Sequence, residues 1–131
     1  SGNGYKLDDV EAPFIEFKPG NTYRFNQEDS TNDTHPLRFY YDPGKTTQFT
    51  TGVTTNGTPG NSGAYTQIAV SDTTPHILYY QCSSHALMGS RIDIQSSTSV
   101  IDSSTAFVDS TGTAITFAST AFSIAQAVAL G

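Results

Sequence analysis

The chain of 131 residues has one cysteine, one methionine, no tryptophan and only six lysine and arginine residues. A single cysteine excludes an intramolecular disulfide and leaves open whether the protein works outside the cell. The few basic residues are spread along a chain of net charge −6. They argue against nucleic acid as a partner, because phosphate neutralisation needs clustered basic residues. No window reads as a transmembrane helix, so membrane insertion is not expected.

The residues that are present favour strands. Thr, Tyr, Phe, Val and Ile suit strands, whereas the Leu, Glu, Lys and Ala mix that fills helices is scarce. Short alternating or apolar runs are separated by turn signals such as the Pro-Gly pair of Lys18–Asn21. The runs predict an all-β sandwich or barrel with strands over Phe14–Phe17, Thr22–Asn26, Pro36–Tyr41, Ala64–Ser71, His76–Cys82 and Ser90–Gln95.

The C-terminal part of the chain differs in composition. Residues 98–131 hold only two charged residues, Asp102 and Asp109. Within them, Ala121–Leu130 is apolar and is compatible with either a strand or a short helix. We predict a β-sandwich over residues 1–97 and a strand-rich extension over 98–131. The extension either completes the domain's own sheet or adds to a neighbour's sheet in an assembly.

One short stretch, Tyr79–Gly89, holds the only cysteine and the only methionine, with a histidine between them. Cys82, His85 and Met88 offer thiolate, imidazole and thioether donors at a regular spacing of three residues. Soft sulfur with imidazole favours copper, and two histidines, one cysteine and a weak axial methionine describe a blue-copper centre. The pattern therefore calls for a second histidine.

Two other histidines are present, and His35 fits the role better than His76. His35 precedes a predicted strand and is remote in sequence, and Pro36 fixes the backbone just after it. His76 lies six residues before Cys82 on the same predicted strand, and six strand residues span about 20 Å. His76 is therefore expected to be an ordinary surface residue.

Other interpretations of the same residues are weaker. Cys82 alone reads as a small buried hydrophobic residue. A nucleophilic pair of Cys82 and His85 has no obvious oxyanion hole, so we do not expect an enzyme. Zinc is a poorer fit than copper because methionine is a poor zinc ligand.

The order of these residues resembles the cupredoxins: a histidine at a strand start is followed by a strand that ends in Cys-x-x-His-x-x-Met. The stretch GAYTQIAVSDTTPHILYYQCSSHALMG looks like the family's last two core strands and ligand loop. The resemblance implies a Greek-key β-sandwich with one type 1 copper ion, or an empty site. It implies His35, Cys82, His85 and Met88 as the four ligands. The chain departs from the family at Pro36, where Asn or Thr often braces the thiolate.

A second resemblance bears on the biological role. THPLRF, TTGVTTNGTPGNSGAYTQI and LYYQCSSHALMG together look like cupredoxin-type domains in structural proteins of marine phages and in large environmental surface proteins. It implies a structural or display module of a virion or extracellular assembly, with other copies of itself or assembly proteins as partners. The alternative is a small soluble blue-copper electron-transfer protein, periplasmic, with a redox partner.

Overall fold

The computed structural model describes residues 4–95 and 122–130, and nearly all of the regular secondary structure in these residues is β-strand. The all-β prediction is therefore confirmed, and no helix in the described part of the chain is long and apolar enough to cross a membrane. A 3-10 turn covers Ser30–Asn32. The strands are β1 (Gly4–Leu7), β2 (Val10–Glu11), β3 (Ile15–Phe17), β4 (Thr22–Asn26), β5 (Leu37–Tyr40), β6 (Gln48–Phe49), β7 (Val53–Asn56), β8 (Tyr65–Ala69), β9 (Ile77–Cys82), β10 (Gly89–Ile94) and β11 (Phe122–Leu130).

The strands form two sheets around a common apolar core. The first sheet has the order β2-β1-β11-β4-β8-β7 and the second has the order β3-β10-β9-β5-β6. Aromatic rings join them: Phe25 of β4 lies 5.6 Å from Phe39 of β5 and 6.3 Å from Tyr80 of β9, between ring centroids. Alternate residues of the facing strands are buried, as expected for a β-sandwich.

The C-terminal strand β11 lies inside the first sheet. It runs antiparallel to β1 and parallel to β4. Ala127 and Ala129 are buried while Val128 between them is only partly so, which is the two-residue period of a strand. The sequence of Ala121–Leu130 is compatible with a strand or a short helix, and the described residues 122–130 adopt the strand. The predicted boundary between residues 97 and 98 lies outside the described residues.

The second sheet brings the candidate ligands to one of its ends. β5 and β9 are antiparallel neighbours in which Leu37 pairs with Cys82. The start of β5 therefore lies beside the end of β9, and β10 begins at the same end with Gly89 opposite Gln81. Residues just before β5 and residues of the β9–β10 loop meet there.

Candidate metal centre

Three of the predicted ligands lie within reach of one ion. The Nδ1 atom of His35 is 3.7 Å from the Sγ atom of Cys82, and the Nδ1 atom of His85 is 3.4 Å from it. One ligand atom from each residue lies within 4.8 Å of the other two. Tetrahedral bonds of about 2.1 Å to nitrogen and 2.3 Å to sulfur place the donors about 3.5 Å apart. The group could therefore hold a metal ion.

The strands fix where these donors stand. Cys82 is the last residue of β9 and its side chain is fully buried. His35 stands two residues before Leu37, the cross-strand neighbour of Cys82, and thus reaches the thiol from the adjacent strand. His85 comes from the β9–β10 loop, and its ring centroid lies 4.5 Å from that of His35. The two imidazoles flank the sulfur at the edge of the core.

Backbone hydrogen bonds close the β9–β10 loop, which we call the ligand loop (residues 82–88). The Cys82 amide donates to the Met88 carbonyl over 2.8 Å, and the Ser83 amide donates to the Pro36 carbonyl over 2.9 Å. The Ser84 amide lies 3.4 Å from the Cys82 sulfur and points a donor at it. Pro36 has no N–H to offer the thiolate, but its carbonyl still ties the ligand loop to the strand that carries His35.

Met88 is fully buried and belongs to the same apolar cluster as Cys82. Its backbone, through the bond from the Cys82 amide, is part of the site's frame. Its role as an axial ligand stays a prediction. His76 is exposed and lies outside the donor group, just before β9 and at the opposite end of that strand from Cys82.

The carbonyl of His35 is held by two side chains that sequence reasoning missed. The Tyr5 hydroxyl donates to it over 2.7 Å and the Gln27 amide donates to it over 2.9 Å. The Gln27 side-chain oxygen also accepts from the Leu37 amide over 2.9 Å, so this one buried side chain bonds the backbone on both sides of Pro36, directly after His35. Tyr5 lies in β1 and Gln27 directly follows β4, so the first sheet fixes a ligand of the second.

The electrostatics favour a neutral imidazole at His35. Desolvation, followed by the nearby His85 ring, lowers the pKa of His35 below its ordinary 6.5. Burial, followed by the proximity of Cys82, raises the pKa of Tyr5 well above its ordinary 10.0, so its phenol stays a hydrogen-bond donor. Metal binding needs unprotonated imidazole, and the environment of His35 supplies that form near neutral pH.

Fold and donors together define a two-sheet β domain with a His-Cys-His group at one end of a sheet. Comparison of the chain with protein-family models, curated proteins and solved structures finds no match.

Proposed function

We propose that this chain is a copper-binding domain of the cupredoxin type, a Greek-key β-sandwich with one mononuclear site. His35, Cys82 and His85 would be the strong ligands and Met88 the weak axial one. The observation that carries the proposal is the separation of the donors: both imidazole nitrogens stand 3.4–3.7 Å from one buried sulfur. His35 is remote in sequence from Cys82 and His85, and it joins them because β5 and β9 are neighbours in the sheet.

The donor set favours copper over zinc. It combines one thiolate with two imidazoles, and within residues 4–95 and 122–130 no second thiolate or carboxylate, as is common in zinc sites, joins the group; a buried thioether lies next in the ligand loop. Copper held there supplies one-electron chemistry between its two oxidation states. The strands and the hydrogen-bonded His35 carbonyl would hold the ligands still while the oxidation state changes.

The role we favour is that of a structural or display module in a virion or extracellular assembly. Its support is the second sequence resemblance and the position of the site, which ties β5, β9 and the ligand loop together. An ion bound to the native state alone stabilises it by about 4 kcal/mol at a free concentration of 1,000 times Kd. Copper would then act mainly on the stability of the module, which would associate with other copies of itself or with assembly proteins.

The alternative role, an electron carrier, is favoured by one surface residue. Leu87 is 78% exposed although it is large and apolar, and its φ of 57° is unusual for a leucine. It lies in the ligand loop two residues after His85, where a redox partner could approach the imidazole. A carrier of this kind would be expected in the periplasm.

The copper site is tested by adding Cu(II) to metal-free protein. We expect an intense visible thiolate-to-copper band that saturates at one ion per chain. Cys82→Ser should abolish the band, because the thiolate is the chromophore, and His76→Gln should keep it, because His76 lies outside the group. A wild-type protein that stays colourless, or a Cys82→Ser variant as coloured as wild type, contradicts the proposal.

The two roles are separated by the copper-loaded protein itself. A monomer with a fast, reversible redox couple supports the electron carrier. A stable oligomer whose assembly depends on copper-stabilised folding supports the module. Deletion of the C-terminal segment is a poor test of assembly, because β11 stands between β1 and β4 and its loss opens the chain's own sheet.

A further inference from the structure

The side chain of Lys45 makes three hydrogen bonds, all to carbonyls of the ligand loop. Its Nζ atom lies 2.9 Å from the carbonyl oxygen of Cys82, 3.3 Å from that of Ser83 and 3.0 Å from that of His85. Two of these carbonyls belong to candidate ligands. An ammonium group has three donors, and here all of them point into the backbone that carries the thiol and one imidazole.

The loop that carries Lys45 is built to hold it there. Lys45 has a φ of 58°, a conformation unfavourable for a side-chain-bearing residue. The Asp42 carboxylate fixes this turn by accepting from the Thr46 amide over 3.0 Å and from its hydroxyl over 2.9 Å. Gln81, beside Cys82 on β9, donates to the Pro43 carbonyl over 2.6 Å. The loop is thus docked on β9 through Pro43, two residues before Lys45, and its turn is closed around Lys45 by the bonds between Asp42 and Thr46.

From this geometry we infer that Lys45 is a positioning and selectivity residue of the metal centre: it fixes the ligand loop before the ion arrives and disfavours divalent ions relative to Cu(I). The inference rests on the proposed metal site and assigns it a residue that the ligand pattern does not contain.

The selectivity follows from charge. A thiolate with two neutral imidazoles gives a neutral centre with Cu(I) and a centre of charge +1 with Cu(II) or Zn(II). The Lys45 ammonium, bonded to the carbonyl of Cys82 itself, repels the charged centre and leaves the neutral one unaffected. The same repulsion favours Cu(I) over Cu(II) and raises the reduction potential. If Lys45 only held the ligand loop in place, its removal would lower the affinity for all ions alike.

The test compares Cu(I) and Zn(II) affinities, measured by chelator competition, in wild type, Lys45→Leu and Lys45→Arg. Leucine keeps an aliphatic side chain without the charge and without a metal-binding sulfur, and arginine keeps the charge. We expect Lys45→Leu to shift the ratio of Cu(I) to Zn(II) affinity about tenfold towards zinc, which is about 1.4 kcal/mol. Lys45→Arg should leave the ratio within about twofold of wild type. An unchanged ratio in Lys45→Leu overturns the selectivity claim.

The ordering of the ligand loop by Lys45 is tested separately, in metal-free protein, by amide hydrogen exchange. Lys45→Leu should accelerate exchange of the Cys82 and Ser83 amides at least about tenfold, while the amides of β8 keep their wild-type rates. Equal exchange rates of these amides in wild type and the variant would show that Lys45 does not order the ligand loop. If wild-type protein binds neither ion, the proposed function fails and the selectivity claim fails with it. The exchange result still decides whether Lys45 orders the ligand loop.

Discussion

Gly89 directly follows the ligand loop, at the start of β10, where any side chain collides with the neighbouring strand. Its φ is 155°, and a Cβ atom built on it would lie 1.8 Å from the Tyr80 carbonyl oxygen and 2.8 Å from the Gln81 Cα. Both obstacles are backbone of β9, which pairs with β10 on one side and β5 on the other. Because this backbone is paired on both sides, neither atom can move away as the end of a flexible side chain could.

The cost of Gly89→Ala follows from these distances. Real Cβ atoms essentially never approach closer than 3.0 Å, so the strands must separate by at least 3.0 − 1.8 = 1.2 Å at this point. A shift of that size breaks the Cys82–Met88 backbone bond, now 2.8 Å, and at least one further ladder bond. Two buried bonds at about 1–3 kcal/mol each, with about 1–2 kcal/mol for the backbone conformation, give about 3–8 kcal/mol. That is a large share of the ~5–15 kcal/mol typical of a domain.

The assay is urea unfolding of metal-free protein followed by circular dichroism, with Gly63→Ala as the control. Gly63 also has a positive φ, 86°, but the atom nearest to its added Cβ is the Asn56 Nδ2 at 3.8 Å. The control therefore carries the conformational cost without the collision, and we expect it to lose about 1–2 kcal/mol. If the unfolding free energy of Gly89→Ala is within about 1 kcal/mol of that of Gly63→Ala, then β10 is not paired with β9 in this register, and the ligand loop does not hold Cys82 and His85 as described.

Three further predictions concern the residues that support the site. Gln27→Leu should cost about 2–3 kcal/mol in urea unfolding and weaken copper binding, because it removes a donor to the His35 carbonyl and an acceptor of a buried amide; a stable variant with wild-type affinity would contradict this. Tyr5→Phe should cost only about 1 kcal/mol in the same assay, since Gln27 still donates to that carbonyl. The hydrogen bond from the Thr46 side chain is the main reason why the pKa of Asp42 lies below its ordinary 3.8. Its stabilisation is therefore complete above pH 3.8 and lost as pH falls through the folded pKa, so the thermal stabilities of wild type and Asp42→Asn should converge in acid; curves that stay parallel below pH 3.8 would refute it.

The sequence predicted the parts of the molecule that depend on local pattern. Alternation over Thr22–Asn26 matched β4 at both ends, and the run His76–Cys82 matched β9 to within one residue. The convergence of His35, Cys82 and His85 was also predictable, because a strand start and a strand end meet when the strands are antiparallel neighbours. Phe14, expected in a strand with Phe17, lies outside β3 and is 80% exposed.

The supporting residues were not predictable because their roles depend on long-range placement. Lys45, Tyr5 and Gln27 lie 37, 77 and 55 residues from Cys82 in sequence, and each has the appearance of an ordinary turn or strand residue. Lys45 follows Gly44 in a turn, where a basic residue is normally solvated. Nothing in such a pattern shows that its ammonium faces three carbonyls. Hydrogen bonds to backbone leave no compositional signal, in contrast to a ligand set of rare residues.

The C-terminal strand and the metal centre are physically connected, which bears on both proposed roles. Asn32 is fully buried; its side chain donates to the Ala127 carbonyl of β11 over 2.9 Å, and its own carbonyl accepts from the His35 amide over 2.8 Å. Thr31 accepts from the Ala129 amide over 3.1 Å. Asn32 therefore couples the position of β11 to the position of His35. By linkage, an ion that fixes His35 stabilises β11 in its place in the sheet by the same coupling free energy. Copper binding and the pairing of β11 in the first sheet should accordingly be cooperative. Asn32→Ala is therefore expected to reduce the extra stability that copper confers, measured as the copper-induced shift in Tm. An unchanged shift would show that β11 and the metal site are independent.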